Sequence, residues 1–123
     1  MIEEKDTVTL ILEECISVHI ERDIQYGGSY DNFTEIAIIA TKLATSESDP
    51  RFFTALDVAD CMIATKEARY KYALNHSDMK NHDKVVHDSL IDWINYIAIK
   101  ENIRRIIHEN NMNKDAHNGT KIT

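Results

Sequence analysis

Proline occurs once in these 123 residues and glycine three times. Few points therefore force the backbone to break or turn sharply, and long uninterrupted elements are expected. Cysteine occurs twice, at Cys15 and Cys61, each inside an apolar-periodic run. The expectation is two buried, reduced thiols in a cytoplasmic protein rather than a disulfide. A basic surplus is also missing: 14 Lys and Arg stand against 21 Asp and Glu, for a net charge of −7. That argues against nucleic acid as a partner, because grip on a phosphate backbone relies on a cationic face. A small phosphate ligand needs only a few well-placed cations. No apolar run reaches the ~20 residues of a membrane span, and the acidic start MIEEKD lacks the basic n-region of a secretory signal. Neither a membrane partner nor export is expected.

What is present is helical periodicity. With 43% apolar and 28% charged residues, the chain has enough for one core and a well-solvated surface. From about Lys5 to Ile24, the residues Val8, Leu10, Ile11, Leu12, Cys15, Ile16, His19 and Ile20 recur at helical spacing. Gly27 and Gly28 end that helix. The second helix is expected to open at Asn32, with Glu35 at the reciprocal capping position, and to run to Ala44. A third starts at Thr54, with Asp57 as its capping partner, and runs to Leu74. A fourth covers Lys84 to Asn110 and buries Val85, Val86, Leu90, Trp93, Ile94, Ile97 and Ile103. Nothing reads as a strand or an internal repeat. The expected architecture is all-α, a four-helix bundle occupying residues 1–111, with residues 112–123 a disordered polar tail.

The short loop between helices three and four makes them antiparallel neighbours. Folding Val58, Met62, Lys66 and Arg69 against Asp88, Asp92, Tyr96 and Ile99 then matches Arg69 to Asp88, Lys66 to Asp92, Met62 to Tyr96 and Val58 to Ile99. Charges on a stripe that is otherwise core require partners. Two readings of these charges stand: ion pairs that set the register of the hairpin, or a polar pocket where carboxylates hold a divalent metal and the cations meet phosphate. The segment RDIQYGGSYDNF raises a parallel choice. Its glycine pair and its aromatics Tyr26, Tyr30 and Phe33 suit a tight turn plugging the bundle end. They equally suit a ligand site in which a helix N-terminus meets an anion and an aromatic ring stacks on a base.

Three segments, IERDIQYGGSYDNFTEIA, LDVADCMIATKEARYKYA and HDSLIDWINYIAI, together resemble a MazG-like family of small all-α proteins of phage and prophage genomes. The resemblance spans roughly Ile20 to Ile99 and rests on the order and spacing of Arg22, Tyr26, Gly27, Asn32, Phe33, Asp57, Met62, Lys66, Arg69, Asp88, Asp92 and Tyr96. It implies the fold of the all-α nucleoside triphosphate pyrophosphohydrolases, which hydrolyse a nucleoside triphosphate to the monophosphate and pyrophosphate. It also implies Mg²⁺ on Asp88, Asp92, Asp57 and Asp60, phosphate contacts from Lys66, Arg69 and Arg22, and base contacts from Tyr26, Asn32, Phe33 and Tyr96. The chain departs from the catalytic members, which carry Glu-Glu-x-x-Glu on one helix and Glu-x-x-Asp on the next. Here Lys66 stands where a further acid belongs, and the metal needs oxygen ligands that Lys66 and Arg69 compete for.

Two functions follow as expectations: Mg²⁺-dependent pyrophosphohydrolysis, or a non-catalytic phage accessory (counter-defence) protein that sequesters a nucleotide or binds a host protein. No Ser-His-Asp order or glycine-rich phosphate loop suggests another chemistry, so catalytic residues are unassigned. His19 reads as a core-edge residue. His82 and His87 match no strong metal motif. Lys100, Arg104 and Arg105 read as a solvated face suited to a helix C-terminus. The apolar residues on several faces of helix four point to a homodimer or larger assembly built on its second half.

Overall fold

A computed structural model describes residues 4–121, with side chains through residue 115. The chain is all-α: α1 (Thr7–Tyr26), α2 (Ser29–Ala44), α3 (Ala55–Leu74) and α4 (His82–Lys121), with no strand among the described residues. No described helix is long and apolar enough to cross a membrane. α4 runs past the boundary expected at Asn110. Most of the polar tail assigned to 112–123 falls beyond residue 115, outside the side chains described.

Local chemistry explains the element ends. Asp6 caps α1 by accepting from the Thr9 N–H at 2.7 Å. Thr54 and Asp57 form the expected reciprocal box at the start of α3. The box expected at Asn32 and Glu35 does not form. α2 begins one turn earlier, at Ser29, and Asn32 is already inside it, donating its N–H to the Gly28 carbonyl at 3.0 Å. Gly27 needs its glycine, since φ is +79° there. Gly28, with φ −62°, does not. Two residues are thus enough to join α1 to α2.

α3 and α4 form the most extensive pairing, with α2 laid against α3. Phe33, Ala37, Ala55, Val58, Ala59 and Ile103 make the core between these three helices, and Met62, Tyr96 and Ile99 pack on it. The antiparallel register is as expected at Lys66 and Asp92, 2.9 Å apart, and Lys100 reaches Asp60 at 2.6 Å further along. Arg69 does not pair with Asp88. Asp88 instead takes Lys84, one turn back on its own helix, at 2.8 Å, a local contact that needs no hairpin to form.

Ile103 is fully buried, as expected, because α2 and α3 close over that end of α4. Two burial expectations are corrected. Ile97 is 50% exposed. Cys61 is exposed, facing an open groove between α2 and α3, whereas Cys15 is buried against α4. Exposed apolar residues also form a run on α1. Val8, Leu12, Ile16, Ile20 and Ile24, spaced every fourth residue, are all open to solvent, and Cys15 is the one buried residue of that helix.

Candidate functional site

The turn after α1 brings three aromatic residues and several polar ones to one place. α1 delivers His19, Arg22, Asp23 and Tyr26. The first two turns of α2 deliver Ser29, Asn32, Phe33 and Ile36. Met62 comes from α3, and Asn95, Tyr96 and Ile99 come from α4. Together with Gly27 they enclose a cavity of about 360 Å³, within the size range of small-molecule sites. The helical spacing on each element sets this wall: Arg22 and Tyr26 are one turn apart on α1, and Asn95 and Ile99 one turn apart on α4. Phe33 and Tyr96 meet with ring centroids 6.2 Å apart and tilted by 35°. The Arg22 guanidinium sits 6.0 Å from the centroid of the Tyr96 ring, inside cation–π range. Burial pushes the Tyr96 phenol above its ordinary value, so it enters the pocket as a neutral hydroxyl.

Beside the cavity, Asp92 accepts from Arg22 at 2.5 Å and from Lys66 at 2.9 Å. The Asp92 and Lys66 side chains are 15% and 14% exposed, that of Arg22 36%. Burial alone would raise the Asp92 carboxyl, but the hydrogen bonds and charges of Lys66 and Arg22 outweigh it and hold the group below its ordinary value. Two cations therefore share one carboxylate. Arg69 lies on the far side of Asp92, in a small depression with Val85, Asp88 and Ser89, and forms no ion pair among the described residues. This differs from the pairing expected from sequence, two cations facing two anions: Asp88 is committed to Lys84, which leaves Arg22 and Lys66 together on Asp92 and Arg69 without an ion pair among the described residues.

The residues expected to contact a base, Tyr26, Asn32, Phe33 and Tyr96, all line the cavity, as does Arg22 of the three expected phosphate contacts. Lys66 reaches it only through Asp92. The four carboxylates expected to hold Mg²⁺ are not gathered. Asp57 is spent on its capping box, Asp60 on Lys100, Asp88 on Lys84, and Asp92 on Arg22 and Lys66. Among the described residues no group of three or more His, Cys, Asp or Glu side chains is placed to hold a metal ion. Mg²⁺ binds through oxygen ligands with the negative charge to offset its own, and these side chains do not fit it. His87 pairs with Glu14 at 2.6 Å, which removes it from any metal set with Asp88.

Among the wall residues that sequence reasoning missed are His19 and Asn95. His19 faces the cavity, 3.4 Å from Asp23, rather than the core edge. Asn95 carried a readable signal: it is the lone amide in the stripe Ile91, Asn95, Ile99, Ile103, where periodicity calls for an apolar side chain.

The chain belongs to the family described as Domain of unknown function (DUF6378), whose model matches residues 11–104. That span holds every residue of the cavity wall. No curated protein and no solved structure matches the chain.

Proposed function

We propose that this DUF6378 chain is a nucleotide-binding protein that holds its ligand in the cavity between α1, α2 and α4 and does not hydrolyse it. The carrying observation is the pairing of Arg22 and Lys66 on the single carboxylate Asp92, beside a wall of Tyr26, Phe33 and Tyr96. Arg22 lines the cavity and shares its carboxylate with a second cation, so its guanidinium is the group offered to a phosphate. The aromatic wall suits a planar base. The MazG-like character of the three sequence segments supports a nucleotide as the ligand. Its hydrolytic side lacks the carboxylate cluster that Mg²⁺ chemistry needs. A binder of this kind fits the role of a nucleotide-sequestering accessory protein acting in the cytoplasm of a phage host.

Calorimetry and thermal unfolding with nucleoside mono- and triphosphates test this reading. Binding is expected to be unaffected by excess EDTA, and no pyrophosphate is expected from any nucleoside triphosphate with Mg²⁺ or Mn²⁺. At a ligand concentration of about 100 times Kd the fold should gain about 2.7 kcal/mol. Arg22→Leu should weaken binding by about tenfold or more, since a charge-assisted contact is lost. Metal-dependent release of pyrophosphate would establish the hydrolase instead.

The protein acts as a homodimer paired through α1. The stripe Val8, Leu12, Ile16, Ile20, Ile24 is symmetric about Ile16. The stripe winds about the helix at 3.6 residues per turn, so two antiparallel copies crossing at Ile16 place Ile16 on Ile16 and Leu12 on Ile20, an apolar contact in which one patch serves both sides. At 1.5 Å per residue the 20-residue helix is about 30 Å long, and a solvent-exposed apolar strip of that length is more than monomers usually carry. Light scattering should find a particle of twice 14.2 kDa, and Ile16→Glu with Ile20→Glu should halve it. A monomeric wild type, or a dimer indifferent to both glutamates, would rule out this interface and leave α1 for a different protein partner.

A further inference from the structure

With its histidine neutral, the cavity wall offers an anion little net attraction. Arg22 and Asp23 line it from α1, and Asp92 and Lys66 stand next to Arg22 through their ion pairs. These are two cations and two carboxylates, and they cancel. α2 and α3 add no charged side chain to the wall. Its phenols, Tyr26 from α1 and Tyr96 from α4, belong to a class that is neutral through the physiological range. In the neighbouring depression that Arg22 also borders, Glu14 is held by His87 and Asp88 by Lys84. A phosphomonoester brings close to two negative charges at neutral pH. It would meet Arg22 with the Asp23 carboxylate beside it, and that carboxylate works against the contact.

His19 is the one group of the wall that can change this near neutral pH, since imidazole is the side chain that ordinarily titrates there. It lies three residues before Arg22 on α1, one helical turn away, and borders the same cavity. Its side chain is 41% exposed, so an incoming oxygen can reach it. Nε2 is 3.4 Å from the Asp23 carboxylate, which leaves Nδ1 for a second partner. A proton taken from water makes both ring nitrogens donors. It offsets Asp23 through Nε2 and tips the charge of the wall to positive.

We infer that His19 is the second phosphate contact of this cavity: it acts as an imidazolium, with Nε2 on Asp23 and Nδ1 donating to a phosphate oxygen, so that a nucleotide enters together with one proton from solvent. The inference rests on the nucleotide reading above, and the test separates the two. The probe is the tightest binder among adenosine, guanosine, cytidine and uridine monophosphates, titrated calorimetrically into the full chain. Wild type should bind it about threefold tighter or more at about pH 6.5 than at about pH 8. The ligand cannot produce that trend, because a phosphomonoester loses charge as the pH falls toward about 6. His19→Gln should bind weakly at both values. His19→Lys, a cation at both, should bind as tightly at the higher pH as at the lower. His87→Gln, which alters the other imidazole near Arg22, should keep the wild-type dependence. Where the His19 variants fold poorly, the assigned ring resonances of His19 in wild type decide, since ligand should move them toward imidazolium at about pH 7.5. A change below threefold, a dependence that persists in folded His19→Gln, or unmoved resonances overturns the assignment and leaves the nucleotide reading standing. If none of the four nucleotides binds at either pH, the nucleotide reading itself falls and takes this assignment with it.

Discussion

Exchanging Asp92 for asparagine is expected to weaken the fold by about 2 kcal/mol while tightening nucleotide binding several-fold. The two signs have one cause. Among the described residues Asp92 is the one anion paired with Lys66 and Arg22, so neutralising it strands one largely buried cation and one that is about a third exposed. The Lys66 side carries most of the loss, since the Arg22 contribution is discounted by solvent screening. The liberated positive charge then becomes available to phosphate. Denaturant midpoints and a binding isotherm on the same sample measure both effects. In a Mg²⁺ enzyme the same change would remove a ligand charge and lower turnover by orders of magnitude, so the direction of the change separates the two functions. A double variant, Lys66→Met with Asp92→Leu, should recover stability relative to Asp92→Leu alone, because the more buried charge leaves with its partner.

Acid should reproduce part of this effect. The Asp92 carboxyl is held below its ordinary value of 3.8 in the folded chain. Its contribution is therefore whole above pH 3.8 and is lost as the pH falls below that, through the folded value. Wild type should lose stability in this acidic window by more than Asp92→Asn does. Urea titrations of the two proteins across the window would show it, and parallel curves would mean that Asp92 is not the group responsible.

Ile103→Ala is expected to cost about 4 kcal/mol, whereas Ile97→Ala should stay within about 0.5 kcal/mol. Ile103 is fully buried between α2, α3 and α4 beside Ala59 and Val58. Truncation there leaves a cavity that helix backbones on three sides cannot collapse around. Ile97 is half exposed and loses little. Equal effects at the two sites would mean that α4 is rotated from the orientation described here.

Much of this architecture was legible in the sequence because its causes are local or periodic. Apolar spacing marked four helices, the Thr54 and Asp57 pair marked a helix start, and matched stripes on α3 and α4 set Lys66 against Asp92. The residues around the cavity, Tyr26, Asn32, Phe33, Tyr96 and Arg22, could be named together through the resemblance of three segments to a known family, not from spacing alone. What sequence could not supply is how one group chooses among several partners. Arg22 reaches Asp92 across 70 positions of chain, and no spacing rule connects α1 to α4. Asp88 had two cations within reach, and the nearer, Lys84 on its own helix, holds it at no cost in chain closure. Those two choices put two cations on one carboxylate, and they scatter the acids a metal would need. The direction each apolar residue faces was likewise left open by a helix apolar on several sides: only the packing of α2 and α3 buries Ile103 and leaves Ile97 in water. Periodicity and local capping chemistry fix the four helices and which groups stand near the turn. The tertiary structure decided which charges cancel, because pairing depends on distances in space that helical periodicity does not contain.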